Sequence, residues 1–573
     1  VIPTHSDDEV LANQFANYFE DKIAKIREQF SEIPDLETSA TLNTDCLELF
    51  EPISEEELKK IIMDGNSKSC MLDPIPTSLL KSNLDILLPI LVKIINTSLI
   101  TSKFPSKYKL AVVFPLIKKL LLDIENFKNY RPVSNLPYVG KITEKVAVKQ
   151  MNGHMTEKQL HDLFQSAYRE GHSVETALLC VYNDLLSAVD RKQCVLLTLL
   201  DLSAAFDTIN HGLLLDRFER DMGITGAALE WLTSYFSERK QFVCVNGAHS
   251  RVHELTTGMP QGSVIGPFGF PTYQTPLSKI FQNHNMSYHL YADDSQIYVC
   301  FDPSEGSHAK QQLEECLQDV SAWMYQNHLK LNHSKTEYIV ISSKNNMQKL
   351  SNVSELKVGS ESISCAKSVK NIGALFDAQL TMEDQVAAVC RSCYMHIRNI
   401  GKIRSFLSQP ATEKLVHAFI SSRLDYNNSL LYGLPSTLIS RLQKVQNCAA
   451  RIVTRSPKRA HITPVLHSLH WLPVQARIKY KILLLTFKCI QGTAPAYLCR
   501  LIKIYVPRRS LRSSSDRRTL VKEAPPRSKY GERAFVNCAP HLWNSLPLEI
   551  RTIDTVDSFK SALKTFLFKE HFS

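Results

Sequence analysis

A chain of 573 residues with 44% hydrophobic and 22% charged side chains has enough apolar material for about three to four globular domains. It reads as an ordinary soluble globular protein, and no apolar run approaches the ~18 residues of a membrane-spanning helix. The net charge of +10 hides an asymmetry. Residues 391–573 carry +22, and the 390 residues before them carry −12. A cationic last third on a mildly acidic body points to a polyanionic partner, with a solvated basic surface as the plainer alternative. Val1 to Val10 show no charged-then-apolar leader. The missing initiator Met fits a piece of a longer protein. Fourteen cysteines are scattered without framework spacing, and only Cys390 and Cys393 form a C-x-x-C. With no second pair nearby to complete a zinc site, buried thiols in a reducing, intracellular setting are expected.

In chain order, residues 1–100 are acidic and predict helices, including an amphipathic piece from Glu20 to Phe30. A second helix starts after Ser54, a suitable N-cap with Glu57 three residues on, the spacing of a capping box. Residues 101–150 turn basic, at +7, with a strand from Leu110 to Leu116 and a turn-rich run from Asn129 to Pro137. Cys194 to Leu200 is an apolar run suited to a strand buried on both faces. Gln241 to Glu254 predicts a hairpin turning at Asn246-Gly247. Ser287 to Phe301 predicts another, with Asp293-Asp294 at its tip. A helix is expected over Leu313 to His328, a strand over Glu337 to Ser342, and mainly helices from Leu380 to about Arg500. Residues 505–530, rich in Arg, Ser and Pro, read as an exposed basic loop.

The chemistry lies in carboxylates. Asp201 ends the buried strand, in Leu200-Asp-Leu-Ser-Ala-Ala-Phe206-Asp207, and Asp293 and Asp294 sit in Tyr291-Ala-Asp-Asp294. Singly, Asp201 could cap a helix and the Asp pair could be a solvated turn. A strand end beside a hairpin tip could instead gather three carboxylates, which repel one another unless a hard divalent cation such as Mg²⁺ is bound. Two such ions support in-line phosphoryl displacement. Between the acidic elements stands Gly258-Met-Pro-Gln-Gly-Ser-Val-Ile-Gly-Pro267. Its glycines permit close backbone approach, to a nucleobase or template strand in one reading and to a packed helix start in the plainer one.

These three segments, in this order, resemble motifs A, B and C of reverse transcriptases. Asn129 to Pro137 and Gln165 to Ala177 resemble the finger motifs of the LINE-type (non-LTR) branch. Leu329 to Glu337 looks like motif D, and Asn371 to Asp377 like the primer-grip region. Ser421 to Asn428, His461 to Pro473 and Leu542 to Arg551 are similar to the C-terminal part of jockey-like elements. The resemblance implies an RNA-directed DNA polymerase of α+β class, built as a right hand. An N-terminal helical extension would cover 1–100, fingers 101–190 and an antiparallel-sheet palm 191–380. The reverse transcriptase domain itself would span about 101–376. A helical thumb would follow over 381–500 and a basic C-terminal region over 501–573.

Residue by residue, the resemblance makes Asp201, Asp293 and Asp294 ligands of two Mg²⁺ ions, with Mn²⁺ as a substitute. Lys335 would be the general acid toward pyrophosphate. Phe206 would be the steric gate against a 2′-hydroxyl. Arg169 would hold the triphosphate. Gln261 and Gly262 would line the nascent base pair, and Arg131 would contact phosphate. Asp207 fits the LINE form of motif A as a structural residue. Arg451, Arg455, Lys458 and Arg459, and then Arg508 and Arg509 with Arg512, Arg517 and Arg518, would grip a template–primer duplex by its phosphates. The implied partners are an RNA template, a DNA primer or target and deoxynucleoside triphosphates, with the nucleus as site of action and the cytoplasm as alternative. An endonuclease expected upstream is not seen in this stretch, nor is a C-terminal zinc knuckle. One departure stands out: Gly269 and Pro271 fall inside the stretch that should be the motif B helix, where each is unfavourable. They favour the competing reading, a decayed or repurposed nucleic-acid-binding protein. An intron-maturase relative is disfavoured by the C-terminal third.

Overall fold

The computed structural model describes residues 2–30, 45–119, 121–359, 361–506, 518–522 and 525–572. Helices and sheets are mixed along the chain, which separates into two compact units. One comprises Val1–Asp162, Asp201–Ile280 and Gln318–Asn332; the other comprises Leu163–Leu200, Phe281–Leu317 and His333–Ser573. The first elements are helix α1 (Asp8–Arg27), strands β1 (Leu110–Ile117) and β2 (Tyr130–Asn135), and helices α2 (Tyr138–Glu157) and α3 (Val174–Asp190). Next come β3 (Cys194–Leu200), β4 (Lys240–Val245), β5 (Ala248–His249), β6 (His253–Glu254) and helix α4 (Ile265–Tyr273). β7 (Ser287–Tyr291), β8 (Asp294–Phe301), α5 (Gly306–Gln326) and β9 (Glu337–Ile341) follow. Two small hairpins, β10 (Glu355–Val358) with β11 (Glu361–Ser364) and β12 (Ser368–Asn371) with β13 (Ala374–Asp377), precede α6 (Glu383–Ile403), α7 (Ser436–Thr454) and α8 (Val474–Ile490).

The first unit is built on a sheet ordered β2-β1-β4-β5, with β6 pairing back to β4. The run Asn129 to Pro137, expected to be turns, contains a strand instead. β2 lies antiparallel to β1, with Pro132 opposite Pro115. Proline removes a ladder donor and so is tolerated at a sheet edge, which is where β2 sits. Helix α1 covers this sheet. Phe15 is fully buried, with its ring centroid 4.5 Å from that of Phe127 and 4.9 Å from that of Tyr130. The Asn246-Gly247 turn forms as expected, with both residues at positive φ (51° and 96°). Ser54 caps its helix by accepting from the Glu57 N–H, but the capping box is one-sided: the Glu57 carboxylate pairs with Lys149.

In the second unit a sheet of order β7-β8-β3-β9 is antiparallel throughout. β3 occupies its interior, and Cys194 to Leu197 are each 0% exposed. Helix α3 packs behind it through Leu178, Leu185 and Leu186, in a core that continues into α6, α7 and α8. Cys390 and Cys393 are buried free thiols on α6, and burial pushes the Cys393 thiol up to about 11. Within the stretch read as an exposed basic loop, Leu520 is buried and bridges to Ile504, so part of it belongs to the core. Residues 507–517 lie outside the described residues. Among the described residues no helix is long and apolar enough to cross a membrane.

Candidate active site

The acidic motifs are placed by strand register. The β3–β8 ladder ends at Leu200 opposite Ser295. Asp201 follows Leu200 in the chain, and Asp294 precedes Ser295. The β7–β8 hairpin turns through Ala292 and Asp293, with Ala292 at φ 55°, and Tyr291 pairs with Asp294 across the turn. Asp294 is exposed and Asp293 half-buried. Within either unit, among the described residues, no three or more His, Cys, Asp or Glu side chains are gathered closely enough to hold a metal ion.

Asp201 has a partner that sequence reasoning missed. The backbone N–H of Asn332 donates to the Asp201 carbonyl at 2.9 Å, and Asn332 Nδ2 donates to Asp201 Oδ2 at 3.3 Å. Leu202 bridges antiparallel to Leu331, and the Ser203 N–H donates to the Lys330 carbonyl at 2.8 Å. Motif D is thus laid along motif A, and Asn332 orients the first acidic residue. Lys335 lies in the exposed turn that leads into β9.

The motif B loop is held at nearly every residue. The Gly258 N–H donates to Ile209 and the Met259 N–H to Phe206, at 2.8 and 2.9 Å. Gln261 Nε2 donates to Asp207 Oδ1 at 2.8 Å, and the Gln261 carbonyl accepts from the Ser134 N–H at 2.9 Å. Burial raises the Asp207 carboxyl above its ordinary pKa, with the Gln261 hydrogen bond pulling the other way. Asp207 therefore ties the 200–207 segment to the 258–267 loop. Phe206 stacks on Phe270, with centroids 4.6 Å apart and planes at 21°. Helix α4 forms despite Gly269 and Pro271, so the expected disturbance is not seen. It ends two residues after the proline, and the bare Gly269 Cα admits close packing: a Cβ there would lie 3.1 Å from Met259 Sδ and 3.4 Å from Leu214 Cδ2.

Residues 118–374 match the family model described as reverse transcriptase (RNA-dependent DNA polymerase). This chain contains a reverse transcriptase domain. Among named relatives it is similar to a probable RNA-directed DNA polymerase from transposon BS of Drosophila melanogaster, 25% identical over 500 residues. That alignment covers 82% of this chain and 52% of the relative. A probable RNA-directed DNA polymerase from transposon X-element of the same species is 24% identical, covering 78% and 48%. The RNA-directed DNA polymerase from mobile element jockey of Drosophila funebris is 24% identical, covering 71% and 44%. The chain spans about half the length of these relatives.

Within the reverse transcriptase domain, the Arg169 loop hangs on the sheet edge. Gln165 makes a parallel bridge to Leu290 of β7, and the Ser166 N–H donates to the Leu290 carbonyl at 3.0 Å. Arg169 Nη1 donates to the Gln165 carbonyl at 3.0 Å. A buried polar chain anchors this segment. Ser166 Oγ lies 2.8 Å from both His289 Nε2 and the Tyr497 hydroxyl, which donates onward to Thr176 Oγ1 at 2.9 Å. Burial drives the His289 pKa down to about 3, so the ring is neutral. Gly171, at φ 75°, takes a conformation that suits glycine and passes close to the Thr493 carbonyl. Arg131 is exposed on β2, opposite Leu116.

Beyond the domain, the basic side chains divide. Arg451 donates to the Ala460 carbonyl at 3.2 Å. Arg455, in left-handed conformation at the end of α7, donates to the Arg404 carbonyl at 3.3 Å. Arg404, not singled out from sequence, caps α7 by donating to Ile452 and Val453 carbonyls at 2.7 and 2.9 Å. Lys458 and Arg459 are exposed. Arg508, Arg509, Arg512 and Arg517 lie outside the described residues, whereas Arg518 reaches the Ile553 carbonyl and Asp554.

Proposed function

We propose that this chain is an RNA-directed DNA polymerase of a LINE-type retrotransposon, extending a DNA primer on an RNA template by two-metal nucleotidyl transfer. The observation that carries this is the match of residues 118–374 to the reverse transcriptase family model, with Asp201 next in the chain after β3 and Asp294 opening β8. In this reading the fingers fall within 101–190, the palm within 191–380 and the thumb within 381–500. Asp201, Asp293 and Asp294 offer the hard oxygen donors that Mg²⁺, or Mn²⁺ in its place, prefers. Bound there, the two ions would supply stabilisation of the attacking and leaving oxygens.

The protein's own contribution is position. Asn332 orients Asp201. Gln261, fixed by Asp207, presents the motif B loop to the nascent base pair. Arg169 offers a planar fork to the triphosphate, and Lys335 a proton to departing pyrophosphate. The Phe206 ring, half-buried and stacked on Phe270, is braced against a ribose 2′-hydroxyl. Target-primed synthesis at chromosomal DNA would place this work in the nucleus.

Primer extension on an RNA template with deoxynucleotides tests the reading. Extension is expected with Mg²⁺ and its loss with EDTA. A folded chain that binds template–primer but extends nothing with either Mg²⁺ or Mn²⁺ would establish the decayed nucleic-acid-binding reading instead. In the same assay, Phe206→Ala is expected to relax discrimination against ribonucleotides by about ten- to a hundredfold, the range expected when one shape-defining contact is removed. Unchanged discrimination would remove Phe206 from the gate.

A further inference from the structure

Glu144, on α2, is a carboxylate that neither the composition nor the motif pattern singles out. It is 1% exposed. A fully buried glutamate is rare because the charged form is costly away from water unless it is paired. Here Oε2 accepts from the backbone N–H of Val264 at 2.6 Å and of Ile265 at 3.1 Å. Those two groups open α4, immediately after Gln261-Gly262-Ser263. The first turn of a helix leaves its N–H groups without intrahelical partners, and Val264 supplies no side-chain cap. Ser263 Oγ takes the next donor, the Gly266 N–H, at 3.0 Å. Glu144 thus caps the motif B helix from a different element.

Burial raises the Glu144 carboxyl above its ordinary pKa, against the pull of its neighbours. Arg239, 2% exposed, lowers it through space. That guanidinium is itself fixed, with Nη1 donating to the Tyr235 carbonyl at 3.0 Å and its carbon 4.3 Å from the Tyr235 ring centroid. The opposite end of the loop is tied down by Ile209, Phe206, Asp207 and Ser134, as described above. Glu144 is the anchor on the helix side.

We propose that Glu144 is a positioning residue for nucleotide incorporation, acting through Gln261 and Gly262 by fixing where the motif B helix begins. This rests on the polymerase reading and on Gln261 lining the nascent base pair. The test is steady-state single-nucleotide incorporation by the full chain, with template–primer affinity and thermal melting measured alongside. Glu144→Ala is expected to raise the KM for the correct deoxynucleotide by about tenfold or more, the scale of a small misplacement of a bound reactant, while template–primer affinity stays unchanged. Glu144→Gln keeps an acceptor oxygen and should remain within about threefold of the parent. Glu144→Asp keeps the charge but shortens the arm, and should behave like the alanine variant; it serves where Glu144→Ala does not fold.

The double variant Glu144→Ala, Gln261→Ala should show no more loss than Gln261→Ala alone, because both act at one place. Independent, multiplying losses would overturn the proposal, as would a lowered melting temperature with an unaltered KM. If Gln261→Ala itself leaves KM unchanged, the nucleotide-site reading fails and takes the proposal with it. A changed Gln261→Ala beside unchanged Glu144→Ala and Glu144→Asp sinks the proposal alone.

Discussion

Replacing Asp293 and Asp294 together by alanine is expected to abolish primer extension on an RNA template, by on the order of 10³-fold or more, since metal-assisted charge stabilisation is worth several kcal/mol. Asp201→Asn should do nearly the same. The design separates chemistry from folding. Asp294 is exposed and Asp293 half-buried in a two-residue turn whose flanking ladder is main-chain, so the melting temperature should hold. An asparagine at 201 can still accept from Asn332 Nδ2 while losing the charge that attracts a cation. Template–primer binding should persist in both variants, because it would be spread over many phosphate contacts. Extension by the double variant at the parent's rate would refute the assignment of these carboxylates.

The second large effect belongs to a residue with no side chain. Gly262 has φ 132°, and a Cβ there would stand 2.4 Å from the Ser134 carbonyl oxygen, part of the β2 backbone. Gly262→Ala must therefore push the motif B loop away from β2 and break the 2.9 Å bond between the Ser134 N–H and the Gln261 carbonyl. A loss of roughly 2–4 kcal/mol in unfolding free energy is expected from backbone strain and the displaced contact. Extension should fall about 100-fold from the misplaced loop. Gly247→Ala is the matched control. Its φ is also positive, at 96°, but nothing lies within 4 Å of the added Cβ. It should cost only about 1–2 kcal/mol, the penalty of a left-handed conformation, and leave extension intact. Urea melts and the extension assay read both, and equal behaviour of the two variants would dismiss the close-approach argument.

Local features were legible because they depend on near neighbours. The near-continuous apolar run Cys194 to Leu200 became the interior strand with the same bounds. Asn246-Gly247 became a turn with both residues at positive φ, and Ser54 became a cap. The prolines of Asn129 to Pro137 misled, because a proline signals a turn unless the strand lies at a sheet edge, and sheet order is invisible in one sequence. The disturbance expected of Gly269 and Pro271 also depended on context. Glycine in α4 is matched by Met259 and Leu214 packed where a side chain would be.

The residues that hold the site in shape were the ones hidden. Asn332 reads as one polar residue in a loop until register lays it beside Asp201. Nothing in the sequence singles out Glu144 until α4 begins over it. Tyr497 lies 331 residues from Ser166, yet its hydroxyl anchors the Arg169 loop. The order of the acidic and glycine-rich segments, and the resemblance to reverse transcriptases that they carry, were legible in the chain itself, since metal and phosphate chemistry demands particular side chains at particular spacings. Which polar groups are buried, and which partner satisfies each, was decided by packing. A buried donor or acceptor must be paired, and the available partner comes from wherever in the chain the fold brings it.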